Sequence, residues 1–383
     1  MKVFWFFPTA GDGRYLASSV GGRAIDLHYL KQIAQAVDEL GYYGALLPTG
    51  RPYEDTWVVA SAMVTATRRM KFIVAVRPGL MSPTLSARMT ATLDRLSEGR
   101  VIINIVTAGD PVENAGDGLH LSHDDRYALT DEFLHVWRGI LSGQDVTFKG
   151  KHIDIRGGKA LLETVQKPYP PLYLGGSSEA ALDVTARHID TYLTWGEPVD
   201  AVAEKVEAVR RRAADHGRTV KFGIRLHTIV RETEKEAWAE ADSLIKYVDD
   251  ATIAAAQKVK ERTESVGQKR MTQLHNGRKD SLVVGPNLWA GVGLVRGGCG
   301  TALVGDPENV ASRIREYQQV GIEEFIFSGY PHLEESYRVA ELLFPLIKPE
   351  RPGTADAPIV RRHRGEAIAH TILPGAATAP ATR

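Results

Sequence analysis

The residues best equipped for chemistry stand just behind short apolar runs. Arg225 and His227 alternate within VKFGIRLHTIV (220–230), so on a strand they point to one face. Arg296 lies inside GVGLVRGGCGTALVGD (291–306), and Tyr330 and His332 follow EEFIFSG (323–329). Two guanidiniums, two imidazoles and a phenol, with Trp195 as a wall, suit an oxyanion with several acceptor oxygens: a sulfonate, a carboxylate or a phosphate. Each arginine alone is more often a salt-bridge partner; the group carries the reading. No metal site is expected, because the histidines lack carboxylates at ligand spacing and neighbouring arginines repel a cation. A glycosidase pair is also missing. Glu54 and Asp55 are adjacent and would diverge on a helix, and Asp110 is isolated.

A second group is GGSS (175–178), opening a helix. Gly176, Ser177 and Ser178 would offer backbone N–H groups and hydroxyls to an anion at a helix N-terminus. The same four residues also read as a tight turn with an N-cap. His123 and Tyr127, four apart at another helix start, could hold a phosphate or a ribityl chain. Thr107 ends the fourth apolar run. Glycines on both sides of Arg296 predict a mobile loop that closes over a substrate and excludes water, or else a flexible connector.

These positions need a frame. Buried-strand patterns fall at 2–7, 44–48, 71–77, 101–107, 171–176, 189–195, 220–230 and 323–329. Helical patterns follow them, as in Leu30, Ile33, Val37 and Leu40 before Gly41. Eight βα units predict an α/β chain whose parallel sheet closes into a (β/α)8 TIM barrel, with the active site at the C-terminal face. A doubly wound open sheet is the competing fold, but no Gly-x-Gly-x-x-Gly follows the first strand. We expect one domain over 1–350, with insertions at about 144–170 and 248–295, and a C-terminal tail over 351–383. The tail holds short apolar pieces, APIV (357–360) and AHTILPG (369–375), around the basic RRHRGE (361–366). It reads either as a floppy extension or as an arm docking on a neighbouring subunit.

Composition narrows the classes. The 383 residues carry 47 Lys plus Arg and 47 Asp plus Glu, so no whole-molecule field favours nucleic acid or an anionic membrane. Cys299 is the only cysteine, which excludes an intrachain disulfide, a cysteine zinc site and an iron–sulfur cluster. The apolar run before Pro8 is too short for a signal peptide, and no stretch reaches the ~18 apolar residues of a membrane helix. A cytoplasmic enzyme is expected.

FWFFPTAGDG, LGYYGALLPTGR, TATLDRLSEGR, PYPPLYLGGSSE, YLTWGEP, FGIRLHTIVRET, PNLWAGVGLVRGGCGTALVGD and SGYPHLEESYRVAELLFPL together resemble the bacterial-luciferase-like flavin monooxygenases. Within them they resemble the reduced-FMN-dependent alkanesulfonate monooxygenases, over nearly the whole chain to about residue 347. The resemblance implies a TIM barrel with insertions and a homo-oligomer, dimer or tetramer. It also implies reduced FMN supplied by a separate NAD(P)H-dependent flavin reductase. With O2, such an enzyme breaks the C–S bond of an organosulfonate, giving an aldehyde, sulfite and oxidised FMN. By resemblance, Gly176, Ser177 and Ser178 bind the FMN phosphate, with His123 and Tyr127 alongside and Thr107 near the ring. Arg225, His227, Arg296, Tyr330 and His332 would hold the sulfonate and the activated oxygen, and Trp195 would shape the pocket.

The chain departs from the family pattern at the expected mouth. PTGRPYED has Tyr53 where a cysteine is usual, and Ala10 and Arg14 replace two histidines of the first loop. These three residues are expected to bind substrate and to admit either a simple alkanesulfonate or a larger polar sulfonate such as the sulfosugar sulfoquinovose. The alternatives are a related flavin monooxygenase acting on a non-sulfonate molecule, or a non-catalytic flavin- or anion-binding protein.

Overall fold

The computed structural model describes residues 1–353; the segment 354–383, with both apolar pieces of the tail, lies outside the described residues. Eight parallel strands close into a barrel: β1 Lys2–Phe6, β2 Gly44–Leu47, β3 Lys71–Val76, β4 Val101–Ile105, β5 Leu172–Gly175, β6 Thr191–Trp195, β7 Lys221–Arg225 and β8 Glu324–Ile326. They follow one another round the barrel in chain order, and β1 closes it by pairing with both β2 and β8. Phe4 stands opposite Gly44 on one side and Ile326 on the other.

The strands are apolar on both faces because each face packs. Val3, Trp5, Phe72, Val74, Val101, Ile103, Leu172, Tyr192 and Phe325 point outward into the main core under the helices. Phe4, Ile73, Ile102, Tyr173, Leu193 and Ile326 point inward and fill the barrel. At the N-terminal end Glu324 is buried, accepting from the Tyr173 hydroxyl (2.5 Å) and paired with Lys2 (3.2 Å). That end is filled and tied, so a cavity can open only at the other.

The barrel helices are α1 Leu27–Leu40, α2 Thr56–Val64, α3 Pro83–Leu96, α4 His123–Leu141, α5 Glu179–His188, α6 Val199–Asp215, α7 Pro307–Gln319 and α8 His332–Ile347. Their starts are written locally. Asp26, Asp55, Ser82, Ser122, Ser178 and Asp306 each accept a backbone N–H of the helix they precede. Gly41 ends α1 at φ 88°, a conformation that favours glycine.

One sequence expectation changes, and a second stretch gains detail. The run 220–230 is not one strand. After Arg225 the chain leaves the barrel, the Leu226 N–H bonding to Ile326 O and the His227 N–H to Thr301 O. His227–Val230 then pairs with Ala302–Gly305 in a separate four-stranded sheet completed by Leu288–Trp289 and Val283–Gly285. The residues stay apolar because this second sheet has its own core, with Ile229, Trp289 and Val304. The glycine-rich stretch 291–306 carries local structure of its own. Gly291–Leu294 forms a 3-10 turn, and Gly300 lies so close to Gly293 that an added Cβ would stand 2.6 Å from its Cα. These two glycines serve close backbone approach.

The segment 144–170 contains the expected β excursion, an antiparallel pair of Val146–Lys149 and Asp154–Gly158. The long insertion after β7 carries the helices Glu234–Leu244, Asp250–Glu261 and Val266–Gln273. Among the described residues no helix is long and apolar enough to cross a membrane.

Candidate functional site

At the C-terminal mouth lies a cavity of about 490 Å3, lined from all eight strands. The period of two explains its floor. Phe6, Ala75, Asn104, Gly175, Trp195 and Arg225 each stand two residues beyond an inward-facing position of the barrel interior. The insertion supplies the roof through Val259, Lys260, Thr263, Ser265, Gly267 and Gln268.

One end of the cavity is cationic. The guanidinium carbons of Arg225 and Arg296 lie 4.6 and 5.1 Å from the centroid of the Phe6 ring. Arg225 is buried and bonds only to neutral groups: the carbonyls of Leu226 (2.6 Å) and Ile326 (3.4 Å) and the Ser328 hydroxyl (2.8 Å). Burial first, and then the charge of Arg296, bring its pKa down to about 10. It therefore stays charged at neutral pH. Burial works against the Arg296 charge too, but the phenols of Tyr330 and Tyr53 beside it raise its pKa overall. Neither guanidinium forms a salt bridge among the described residues. A buried and a half-buried guanidinium side by side, without carboxylates, suit an anion.

The other end suits a phosphate. Ser178 caps α5, and its hydroxyl and that of Thr107 stand beside the buried Tyr127 phenol. The Tyr192 hydroxyl donates to Gly176 O at 2.7 Å, and the His123 ring lies 5.1 Å from the Tyr127 ring. Gly176 faces a cradle that a side chain would fill: an added Cβ would stand 2.6 Å from the Ala181 Cβ. Between the ends the wall is largely apolar, with Leu46, Ala75, Ile105, Leu193 and Ile326. Asn104 Oδ1 is buried without a partner there. An apolar slot with an unpaired amide oxygen, ending in hydroxyls at a helix N-terminus, fits a flat heteroaromatic group carrying a phosphate.

The roof is tied down at both ends. On the phosphate side the Glu264 N–H donates to Gly109 O (2.9 Å), Arg126 pairs with Glu264 (2.6 Å), and Arg262 with Asp110 (2.7 Å). On the cationic side Gln268 accepts from the Gly298 N–H (2.8 Å), while Lys260 donates to Gly293 O. Burial lowers the Lys260 pKa to about 8.

The expected site residues divide. Tyr53, Thr107, His123, Tyr127, Gly176, Ser177, Ser178, Trp195, Arg225 and Arg296 all line the cavity. His227, Tyr330 and His332 do not; they stand behind it, Tyr330 stacked on His227 at 5.5 Å and edge-on to His332 at 4.9 Å. His227 is also no cation. Burial, then Arg225, Arg296 and His332, hold its pKa well below the ordinary value. Ala10 and Arg14 are exposed and off the cavity. Between them Asp12 is buried, accepting from Tyr29 (2.5 Å) and meeting His332 Nδ1 (2.9 Å). Burial opposes the Asp12 charge, but His332 and the hydrogen bonds hold its carboxyl below its ordinary value.

Several residues of the site were missed. Asn104 and Phe6 were hidden inside apolar strand runs, although their register marks them. Arg77, just after β3, is paired with Glu113 (2.9 Å) and Asp117 (2.6 Å) and holds the loop after β4. Glu197, buried between Lys205 and Arg270, ties the roof helix Val266–Gln273 to the end of β6.

A comparison with known families matches residues 1–324 to luciferase-like monooxygenase. Among solved structures, riboflavin lyase (RcaE) with modified FMN and riboflavin aligns at TM-score 0.75 and 21% identity, covering 94% of this chain and 95% of its own. Long-chain alkane monooxygenase (LadA) aligns at TM-score 0.73 and 21% identity, over 90% of both chains. DmoA from Hyphomicrobium sulfonivorans aligns at TM-score 0.75 and 18% identity, over 92% of this chain and 90% of its own. At such identities these three share the fold.

Proposed function

Because the chain belongs to the luciferase-like monooxygenase family, we propose that it is the oxygenase of a two-component system that desulfonates an organosulfonate. Reduced FMN would come from a separate NAD(P)H-dependent flavin reductase. The products would be an aldehyde, sulfite and oxidised FMN. The substrate is an alkanesulfonate or a larger polar sulfonate such as sulfoquinovose. The observation that carries the reading is the pair of the buried Arg225 and the half-buried Arg296 over Phe6 at the cavity, neither with a carboxylate partner among the described residues. A neutral substrate would leave both charges uncompensated, so an anionic one is favoured.

Reduced FMN, when bound, supplies the electrons and activates O2. Ser177, Ser178, Tyr127, Thr107 and His123 would hold its phosphate end, and the apolar slot with Asn104 its ring. Arg225 and Arg296 orient the sulfonate by charge-assisted hydrogen bonds and stabilise negative charge that develops during reaction. The insertion roof excludes water, which strengthens those interactions. Tyr53, in electrostatic reach of both arginines, borders the substrate.

The test is sulfite release from a panel of short-chain, long-chain and sulfosugar sulfonates, with O2, FMN, NADPH and a flavin reductase. Sulfite from at least one sulfonate is expected. Sulfite from none, or NADPH oxidation by the isolated protein with FMN alone, would sink the reading.

A further inference from the structure

Ser328 lies two residues beyond Ile326, so the period that aims Ile326 into the barrel aims Ser328 into the layer of Arg225. It is fully buried. Its Oγ is 2.8 Å from Arg225 Nη2 and 2.6 Å from His227 Nδ1. A guanidinium can only donate, so Ser328 accepts from Arg225; in a neutral imidazole whose Nε2 faces the Cys299 carbonyl, which can only accept, Nδ1 takes the Ser328 proton. That leaves the imidazole proton on Nε2, which is 3.1 Å from Cys299 O. Cys299 closes the circuit, its Sγ donating to Arg225 O at 2.9 Å. The contacts that link these four residues are each satisfied with a neutral His227.

We infer that Ser328 is a positioning residue that, through His227, fixes the Arg225 guanidinium relative to the loop bearing Arg296. The inference rests on the reading of the two arginines as an anion site. Arg225 belongs to β7, whereas Arg296 and Cys299 belong to the return from the insertion. The circuit links these segments directly behind the cavity. It also restrains the guanidinium from behind, with Nη1 held by Leu226 O and Ile326 O and Nη2 by Ser328. The remaining N–H groups are left for a ligand. On this account His227 contributes alignment, and the subsite carries two positive charges at neutral pH, not three.

The experiment is anaerobic calorimetry of the enzyme with reduced FMN. It compares methanesulfonate with dimethyl sulfone, a neutral molecule of similar shape, in wild type and Ser328→Ala. We expect methanesulfonate binding to weaken about tenfold in the variant, in line with one lost hydrogen bond to a charged group. Binding of dimethyl sulfone and of reduced FMN should be unchanged. Equal losses for both probes, or no loss for methanesulfonate, would overturn the inference. Failure of the wild type to bind methanesulfonate would overturn the anion-site reading and this inference with it; binding to wild type but no change in Ser328→Ala sinks this inference alone. If Ser328→Ala does not fold, nitrogen-15 NMR of wild-type His227 decides. An Nε2–H tautomer from pH 5.5 to 9 supports the circuit, and an Nδ1–H tautomer or an imidazolium overturns it.

Discussion

Gly176 lies directly against Tyr127, so that a Cβ added at Gly176 would stand 3.0 Å from the Tyr127 phenol oxygen. The glycine therefore belongs to the proposed phosphate cradle and not only to a turn. Gly176→Ala should displace the phenol and the start of α5. Overpacking of this kind costs about 1–3 kcal/mol, which here falls on cofactor affinity. Anaerobic fluorescence titration should show reduced FMN binding weakened tenfold or more, with the far-UV spectrum retained. Unchanged FMN affinity would remove this cradle from the cofactor site.

The arginine pair gives a second expectation. Arg225→Ala and Arg296→Ala should each lower kcat/KM for sulfite release by about 2.7–4 kcal/mol, the usual cost of one lost electrostatic donor at a reacting centre. Reduced FMN should still bind both variants, because neither side chain belongs to the phosphate end. Steady-state sulfite assays with a flavin reductase measure the effect. Near-normal turnover in both variants would dismiss the anion site.

Acid stability should reflect His275 beneath the roof. Burial first, and then the neighbouring Lys260 charge, lower its pKa from 6.5 to about 4. The unfolded chain takes up the proton near pH 6.5, the folded one only near pH 4, so the folded state loses stability as pH falls through that window. The slope from one such group is at most about 1.4 kcal/mol per pH unit. His227, also depressed by burial and the neighbouring arginines, adds to the loss of stability in acid. His275→Gln should flatten the dependence in part without abolishing it. Urea unfolding at pH 4.5, 5.5 and 7 measures the slope, and a variant as acid-sensitive as wild type would contradict the account.

The barrel was legible in the sequence because its signals are local. Apolar runs of strand length, helical periodicity and caps such as Asp306 with Pro307 need no tertiary knowledge. The break at Leu226 was not legible, since a strand moving from one buried sheet to another keeps its apolar character throughout. The cavity arginines were legible as charges in apolar runs. Ser328 was not, because serine is ordinary at a strand end until its distance to Arg225 is known. Ala10 and Arg14 were misplaced at the mouth because the path of the first loop, where Asp12 meets Tyr29 and His332, depends on residues distant in sequence. His332 was read as a ligand group; its Nδ1 meets the Asp12 carboxylate, while its buried Nε2 has no partner among the described residues.

With Ala10 and Arg14 outside the cavity, the specificity argument falls on Tyr53. Its ring lines the cavity and packs near Gly50, where an added Cβ would stand 3.5 Å from the Tyr53 Cδ2. Its phenol lies in electrostatic reach of Arg225, Arg296 and Tyr330. A phenol at the anion end can hydrogen-bond a hydroxylated substrate and takes space from a long alkyl chain. Tyr53→Cys should therefore shift preference from a sulfosugar toward simple alkanesulfonates. A tenfold change in the ratio of kcat/KM values corresponds to roughly 1.4 kcal/mol, within the range of a single hydrogen bond. Measuring that ratio for sulfoquinovose over pentanesulfonate, in wild type and variant, decides the point. If it stays the same, Tyr53 does not discriminate between substrates. A parallel Arg14→Ala variant should leave the ratio unchanged, because its side chain lies outside the cavity wall.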